Sequence, residues 1–373
     1  MTTYRIAAIP GDGVGPDVVA AARRVVDATG VALGFDVDWR ELVVGGIAID
    51  TYGVAIRDED VAVAGDADAI LLGACGGPKW DNPNATVRPE QALFVLRSRL
   101  GLFANLRPVT VHPALIASSP LRPERLAGVD LLIVRELTGG IYFGERREAS
   151  GPPGQRSAED TLAYDETEIR RVVELAFRLA ASRRGHVTSV DKANVIATSR
   201  LWRTVANEVA ADHPDVTLAH QLVDSCAMLL VKQPAAFDVL VTENMFGDIL
   251  SDEAAVLAGS LGMLPSASLG ERTTVHGTFG LFEPIHGSAP DIAGRDLANP
   301  IGTILSAAML MRLSLGREDA AGAIEAAVRD TLHAGFRTAD LVPPDGSTDG
   351  LQRVGTTAMT AAIVERLGAG VAA

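Results

Sequence analysis

With 373 residues, 47% of them hydrophobic, the chain is long enough to bury a large core and to divide into two domains. A net charge of −14 speaks against a general affinity for nucleic acid or anionic membrane, both of which favour clustered basic surface. Two cysteines, Cys75 and Cys226, exclude a disulfide framework and a four-cysteine zinc site; no apolar run nears membrane-spanning length, so the expectation is a cytoplasmic enzyme.

β-rich runs at Arg5–Ile9, Ala69–Leu72, Leu131–Val134 and Val239–Thr242 alternate with helical patterns at Pro16–Ala28, Glu166–Ser182, Arg200–Ala211 and Ile301–Leu313. That rhythm predicts an α/β fold on a largely parallel sheet. After the first strand comes Gly11-Asp12-Gly13-Val14-Gly15-Pro16. A dinucleotide fingerprint needs its third glycine three places after the second, and here it comes after two, so an ordinary Rossmann site is excluded. A tight strand-to-helix turn and a loop touching a ligand both remain.

Glu90, Leu93, Phe94 and Arg97 then follow the i, i+3, i+4, i+7 spacing, putting an acid, two apolar groups and a guanidinium on one helix face. Arg107 lies in Phe103-Ala104-Asn105-Leu106-Arg107-Pro108, and Arg135 ends the apolar strand Leu132-Ile133-Val134-Arg135. Such arginines suit a substrate with several carboxylates, each accepting a bidentate fork. Internal salt bridges to Glu90 or Glu136 are the competing reading.

Tyr142, in Gly139-Gly140-Ile141-Tyr142-Phe143-Gly144, is placed either to protonate a carbanion or simply to pack. The segment Ala149–Asp165, with Gly151-Pro152-Pro153-Gly154, reads as an irregular insert, a protruding arm or a surface loop. Lys192 follows the strand-like Ser189-Val190-Asp191, where burial or a nearby cation would make it a general base and solvation would leave it inert. Asp224 is a carboxylate amid apolar neighbours in Leu222-Val223-Asp224-Ser225-Cys226-Ala227-Met228.

In Glu243-Asn244-Met245-Phe246-Gly247-Asp248-Ile249-Leu250-Ser251-Asp252-Glu253, two carboxylates stand four residues apart on one helix face, about 5–6 Å apart at Cβ. Asp248 and Asp252 fit either a solvated acidic turn at a helix start or a pair of hard oxygen ligands, to which Asp224 could add a third. Oxygen donors favour Mg²⁺ or Mn²⁺ over zinc. Apolar Phe246, Ile249 and Leu250 place the pair at the edge of a core. Last comes Leu281-Phe282-Glu283-Pro284-Ile285-His286-Gly287-Ser288-Ala289-Pro290-Asp291, continuing to Asn299-Pro300. Its Gly and Pro force an irregular loop, while Glu283, His286, Asp291 and Asn299 supply hydrogen-bonding groups. A nucleotide loop and a purely structural loop both fit; an acid accepting from a ribose hydroxyl would favour NAD over NADP.

These motifs, in this order, make the chain resemble the isocitrate and isopropylmalate dehydrogenase family of β-decarboxylating dehydrogenases over nearly its whole length. The resemblance implies an open α/β fold with a mixed sheet, unlike an ordinary Rossmann fold. It implies a first, cofactor-side domain from residues 1–105 and 262–373, and a second domain from 106–261 with a subunit-clasping arm near 149–165. It further implies a homodimer whose active sites borrow Lys192 and Asp224 from the neighbour.

By the same resemblance, Arg97, Arg107 and Arg135 hold malate carboxylates. Asp248, Asp252 and the neighbour's Asp224 hold Mg²⁺ or Mn²⁺, Lys192 helps remove the hydroxyl proton, and Tyr142 protonates the enolate left after decarboxylation. Glu90 lies near the nicotinamide of NAD, while Glu283, His286, Gly287, Ser288, Ala289, Asp291 and Asn299 line its adenosine side. Leu93 and Phe94 stand where isocitrate-specific relatives carry a small polar residue and homoisocitrate-specific ones tend to carry an arginine, so an isopropyl group suits them, with Val195 of the neighbour completing the patch. Close relatives often carry two leucines there, and the Phe94 departure leaves malate-, tartrate- or homoisocitrate-type substrates open, since one methylene discriminates by only about 1–3 kcal/mol. The isopropyl-specific branch implies leucine biosynthesis. A Mg²⁺-dependent phosphohydrolase or a non-catalytic organic-acid binder would use the aspartates, but neither explains the Asp291 loop together with Tyr142 and Lys192.

Overall fold

A computed structural model of the protein describes residues 1–82, 85–343 and 345–370. From the N-terminus the strands are β1 (Thr2–Gly11), β2 (Phe35–Glu41), β3 (Ala69–Ala74), β4 (Leu102–Thr110), β5 (Asp130–Glu136), β6 (Arg146–Ser150), β7 (Ser157–Asp160), β8 (His186–Asp191), β9 (Thr217–Leu222), β10 (Val239–Thr242), β11 (Pro265–Thr273) and β12 (Thr278–Pro284). Helices connect them, giving the expected α/β class with an open, mixed sheet and no barrel.

The chain divides into two compact units, Met1–Leu102 with Val111–Pro123 and Ala255–Ala373, and Phe103–Thr110 with Glu124–Ala254. The expected seams at 105/106 and 261/262 differ from the unit boundaries after Leu102 and Ala254, and Val111–Pro123, expected in the second domain, belongs to the first unit; the expected first domain also took in 83–84, 344 and 371–373, which lie outside the described residues.

In the first unit the strand order is β2-β1-β3-β12-β11, parallel except for β11 against β12. Parallel strands are covered on both faces, which is why β3 reads Ala-Ile-Leu-Leu-Gly-Ala and is buried throughout. Ile9, Ile70, Leu72, Leu96, Leu102 and Phe279 form part of one core cluster there. The helix Gly15–Leu33 runs five residues past the expected end at Ala28. Thr29 and Gly30 look like breakers in sequence, but the Thr29 hydroxyl donates back to the Val25 carbonyl at 2.8 Å, and a Cβ on Gly30 would sit 2.6 Å from the Phe35 carbonyl oxygen. The helix ends instead at Gly34, in the left-handed region.

In the second unit the order is β4-β5-β10-β8-β9, with β4 antiparallel and the rest parallel. The helix Glu166–Ala181 begins at a capping box formed by Asp165 and Glu168, and its apolar face buries Ile169, Val172, Val173, Ala176 and Phe177. The segment expected to be an irregular insert is more ordered than that: β6 and β7 pair as an antiparallel hairpin, exposed along both strands. Gly151 and Gly154, both at positive φ, make the turn that the sequence showed only as a helix breaker.

The glycine run after β1 also has a packing explanation. A Cβ on Gly11 would lie 1.9 Å from the Ala74 carbonyl oxygen, and one on Gly15 2.1 Å from that of Pro10. Asp12, nearly fully buried, accepts hydrogen bonds from the backbone of Gly46, Ile47 and Gly76 at 2.8–2.9 Å. Gly13, at φ 59°, lies under the 286–291 loop: Val14 N–H donates to the Ser288 carbonyl at 2.7 Å, and a Gly13 Cβ would stand 1.9 Å from that oxygen. Gly13→Ala is therefore expected to destabilise the protein by about 1–3 kcal/mol. Urea unfolding checks this, and a midpoint equal to wild type would mean that the loop does not rest on Gly13.

Candidate active site

The aspartate motif is assembled from the end of β5. Arg135, buried at the C-terminal end of that strand, donates from Nε and Nη2 to Asn244 Oδ1 at 3.0 and 2.8 Å, and from Nη1 to Asp248. Asn244 opens the helix Asn244–Ala255 and returns its Nδ2 to the Gly139 carbonyl at 3.2 Å. Gly247 is where this arginine crosses the helix: a Cβ there would lie 2.6 Å from Arg135 Cγ. Glu243, just before the helix, accepts from the backbone N–H of Phe246 at 2.8 Å and Met245 at 3.1 Å, capping the first turn. Burial raises its pKa, and the two backbone donors pull it back.

Asp248 and Asp252 stand one turn apart on that helix, 37% and 67% exposed at their side chains. The expectation of a core edge holds for Phe246 and Leu250, which are buried, and fails for Ile249, which is 59% exposed because it turns to the open side with the acids. Arg107 on β4 donates from Nη1 to Asp252 at 2.9 Å and to the Ser251 hydroxyl at 2.8 Å, with its Nε on Asn105 at 2.8 Å. The two aspartates are thus balanced by two largely buried guanidinium groups. Internal pairing is real, but with Asp248 and Asp252 rather than with Glu136. That glutamate, fully buried, accepts from the Thr138 and Gly139 backbones at 2.8 Å, the Thr138 hydroxyl at 2.7 Å and Tyr164 at 3.1 Å.

Tyr142 follows the Gly139-Gly140 turn and donates to Asp248 Oδ2 at 3.1 Å. Burial, and then the Asp248 charge, push the phenol above its ordinary pKa, so it stays protonated across the neutral range. Lys192 leaves the end of β8 with its backbone N–H on Ser199 Oγ at 2.9 Å. Buried Asp191 fixes the same turn by accepting from Ala193 N–H at 2.9 Å and from the Arg203 fork at 2.8 and 2.9 Å. The ammonium pairs with Asp224 at 2.5 Å, and that hydrogen bond lowers the Asp224 pKa. Asp224 sits in the first turn of the helix Val223–Lys232 and is 64% exposed, and Val195 is also 64% exposed. Among the described residues no three His, Cys, Asp or Glu side chains gather as a metal cluster, so within one chain Asp224 does not complete the Asp248 and Asp252 set. Two hard carboxylates still fit Mg²⁺ or Mn²⁺, which takes one or two protein carboxylates and fills its shell with water and substrate oxygens.

In the first unit, Glu90 stands at the N-terminal boundary of the helix Gln91–Arg99 without a side-chain capping bond, and its carboxylate lies over Gly76, whose Cβ would stand 2.9 Å from it. Arg97 donates to Glu283 on β12 at 2.9 Å, both side chains largely buried, rather than to Glu90. Leu93 packs against the core cluster, whereas Phe94 is 46% exposed, so the two do not share one environment.

His286 lies in the loop after β12, with its Nδ1 2.9 Å from the Gly287 carbonyl oxygen. Carbonyl oxygen only accepts, which assigns the proton to Nδ1 and leaves Nε2 as an acceptor. Nε2 is buried and has no partner among the described residues, and burial holds the ring neutral by lowering its pKa. A ligand amino or hydroxyl group would satisfy it, as on the adenosine side of a dinucleotide. Ala289 takes φ 36° and packs with Ile292 against Val14, Val18 and Ala298, while Asp291 is exposed. Asn299 uses its amide internally, accepting from Ile301 N–H and donating to Asp340, each at 3.0 Å.

Asn244, Gly247, Glu243 and Tyr164 belong to the site without having been assigned roles from sequence. The first three were visible as neighbours of the aspartates, but their jobs depend on where the Arg135 side chain runs.

Compared with known proteins, residues 5–363 match the family described as Isocitrate/isopropylmalate dehydrogenase. A 3-isopropylmalate dehydrogenase of Anaeromyxobacter dehalogenans (strain 2CP-C) is 58% identical over 337 residues, covering 90% of this chain and 94% of that protein. One of Geobacillus kaustophilus (strain HTA426) is 54% identical over 346 residues, covering 93% and 92%. Among solved structures, an isocitrate dehydrogenase from Methylococcus capsulatus superposes with a TM-score of 0.83 at 34% identity, covering 98% of this chain and 99% of that one.

Proposed function

The chain belongs to the isocitrate/isopropylmalate dehydrogenase family, and from that premise we propose that it is an NAD-dependent β-decarboxylating dehydrogenase that converts 3-isopropylmalate to 4-methyl-2-oxopentanoate in leucine biosynthesis. The observation that carries the substrate is the contrast in identity: 58% to a 3-isopropylmalate dehydrogenase against 34% to the isocitrate enzyme, over nearly the same length. Leu93 and Phe94, apolar where an isocitrate carboxylate would need a polar partner, agree with it.

Arg97, Arg107 and Arg135 take the substrate's carboxylates, for which planar guanidinium forks are suited. Asp248 and Asp252, with the partner subunit's Asp224, hold Mg²⁺ or Mn²⁺. When bound, the divalent ion supplies Lewis acidity at the substrate's hydroxyl and adjacent carboxylate, and NAD⁺ supplies the hydride acceptor. Lys192 of the partner subunit receives the hydroxyl proton. Tyr142, kept protonated by its surroundings, returns a proton to the carbon that has lost carbon dioxide. Leu93 and Phe94, with Val195 of the partner subunit, face the isopropyl group. Glu90 lies toward the nicotinamide, and Glu283, His286, Gly287, Ser288, Ala289, Asp291 and Asn299 toward adenosine, where an acidic group disfavours the extra phosphate of NADP.

Residues 1–105 with 262–373 act as the cofactor-side domain, and 106–261 as the domain for metal, substrate and dimerisation, with the 146–160 hairpin as the clasp of a homodimer. No helix among the described residues is long and apolar enough to cross a membrane, and we place the enzyme in the cytoplasm.

Formation of reduced nicotinamide with 3-isopropylmalate, NAD⁺ and Mg²⁺, together with release of carbon dioxide, is the expected result. Turnover of malate, tartrate or homoisocitrate in its place would move the substrate and keep the reaction class. A preference for NADP⁺ in competition would overturn the Asp291 argument. Hydrolysis of a phosphate ester without any nicotinamide signal would overturn the whole reading.

A further inference from the structure

We propose that Tyr164 is a positioning residue for the reaction, setting the aim of Arg135 and the placement of Tyr142 from behind; this rests on the dehydrogenase reading above. Its hydroxyl, at the end of the loop preceding the helix Glu166–Ala181, accepts from the Asn244 backbone N–H at 3.0 Å and donates to Glu136 Oε2 at 3.1 Å, with Glu243 Oε2 farther off at 3.5 Å. One oxygen therefore joins the end of β5, which carries Arg135, to the start of the helix that carries Asp248. Asn244 converts this into direction, because its Oδ1 receives two of the Arg135 donors. Moving the Asn244 backbone moves both the guanidinium fork and its Asp248 partner.

The ring makes a second connection. A Cβ on Gly139 or Gly140 would stand 2.6 Å from Tyr164 atoms, so the turn that presents Tyr142 is moulded on this ring and tolerates only glycine there. On its other side the ring meets Trp202 edge to face at 5.8 Å, and Trp202 donates to Ser189 Oγ on β8 at 3.2 Å, two residues before Asp191. Tyr164, Trp202, Asp191 and Ser199 also line one small cavity of about 10 Å³, which puts Tyr164 beside the turn that holds Lys192. Burial and the adjoining Glu136 and Glu243 charges push the phenol far above its ordinary pKa, so it keeps its proton to donate. A tyrosine used only for packing would need the ring; the three hydrogen-bonding elements meeting at its oxygen need the hydroxyl.

The experiment compares Tyr164→Phe with Trp202→Phe in the full-length enzyme, by steady-state kinetics and thermal unfolding. Tyr164→Phe keeps the ring and removes the hydroxyl; it is expected to raise KM for 3-isopropylmalate about tenfold and lower kcat about tenfold, with KM for NAD⁺ unchanged. Trp202→Phe loosens the same packing without touching that hydroxyl, and is expected to lower Tm while leaving KM for the substrate unchanged. Equal KM in Tyr164→Phe and wild type, or a fall in activity that only tracks the loss of folded protein, would overturn the proposal. If wild type turns over a different malate-type acid, the substrate reading fails, and the same comparison on that acid decides the role of Tyr164.

Discussion

Lys192→Met is expected to lower kcat by about 10²–10⁴-fold, the range for loss of a general acid–base group, with affinity for NAD⁺ little changed. The loss should be chemical rather than structural. Methionine keeps the unbranched stem and removes only the ammonium, and the turn around it is set by Asp191, Arg203 and Ser199, none of which depends on the Lys192 head group. Its ion-pair partner, Asp224, is 64% exposed, so water replaces the lost cation at little cost in stability. Single-turnover formation of reduced nicotinamide, with NAD⁺ binding measured separately, checks this. Turnover at the wild-type rate would remove Lys192 from the chemistry, and weakened NAD⁺ binding would place it in the wrong site.

The contrast between Lys192 and Arg135 shows which parts of this site could be read from the chain. Arg135 announced itself because a guanidinium at the end of Leu132-Ile133-Val134 must have an anionic or polar partner wherever it is buried. The chain could not say which one. Glu136, its immediate neighbour, points to the other face of β5, since successive strand side chains alternate, and there it is satisfied by Thr138, Gly139 and Tyr164. Asp248, more than a hundred residues later, becomes the partner only once β10 has been laid beside β5 and delivers its helix to the strand end.

Helices with strong boundary signals were legible in the same way. The pattern at Ile301–Leu313 matches the observed helix at both ends, whereas Gly15–Leu33 outran its signal because Gly30 serves a close approach to Phe35 rather than a stop. The glycine run at 11–15 departs in its spacing from a dinucleotide fingerprint. Its positive purpose, seating the 286–291 loop, is a contact between segments nearly three hundred residues apart, and spacing holds no trace of it.

Tyr142→Phe is expected to lower steady-state turnover by about 10²–10⁴-fold while leaving the first hydride transfer much less affected. The phenol sits 3.1 Å from Asp248, and both its burial and that carboxylate favour the neutral form, so its available chemistry is donation. Donation is needed only after carbon dioxide has left, when the carbon that lost it must gain a proton. An early burst of reduced nicotinamide followed by a slow steady state is therefore the expected trace in rapid mixing. The fold should be unharmed, because Tyr142 is 37% exposed and Asp248 keeps its stronger bond to Arg135 when the phenol is gone. Equal slowing of burst and steady state would instead assign Tyr142 to holding the substrate. An unchanged steady state would leave the proton to come from solvent, and the tyrosine would then serve only as a hydrogen-bond partner for Asp248.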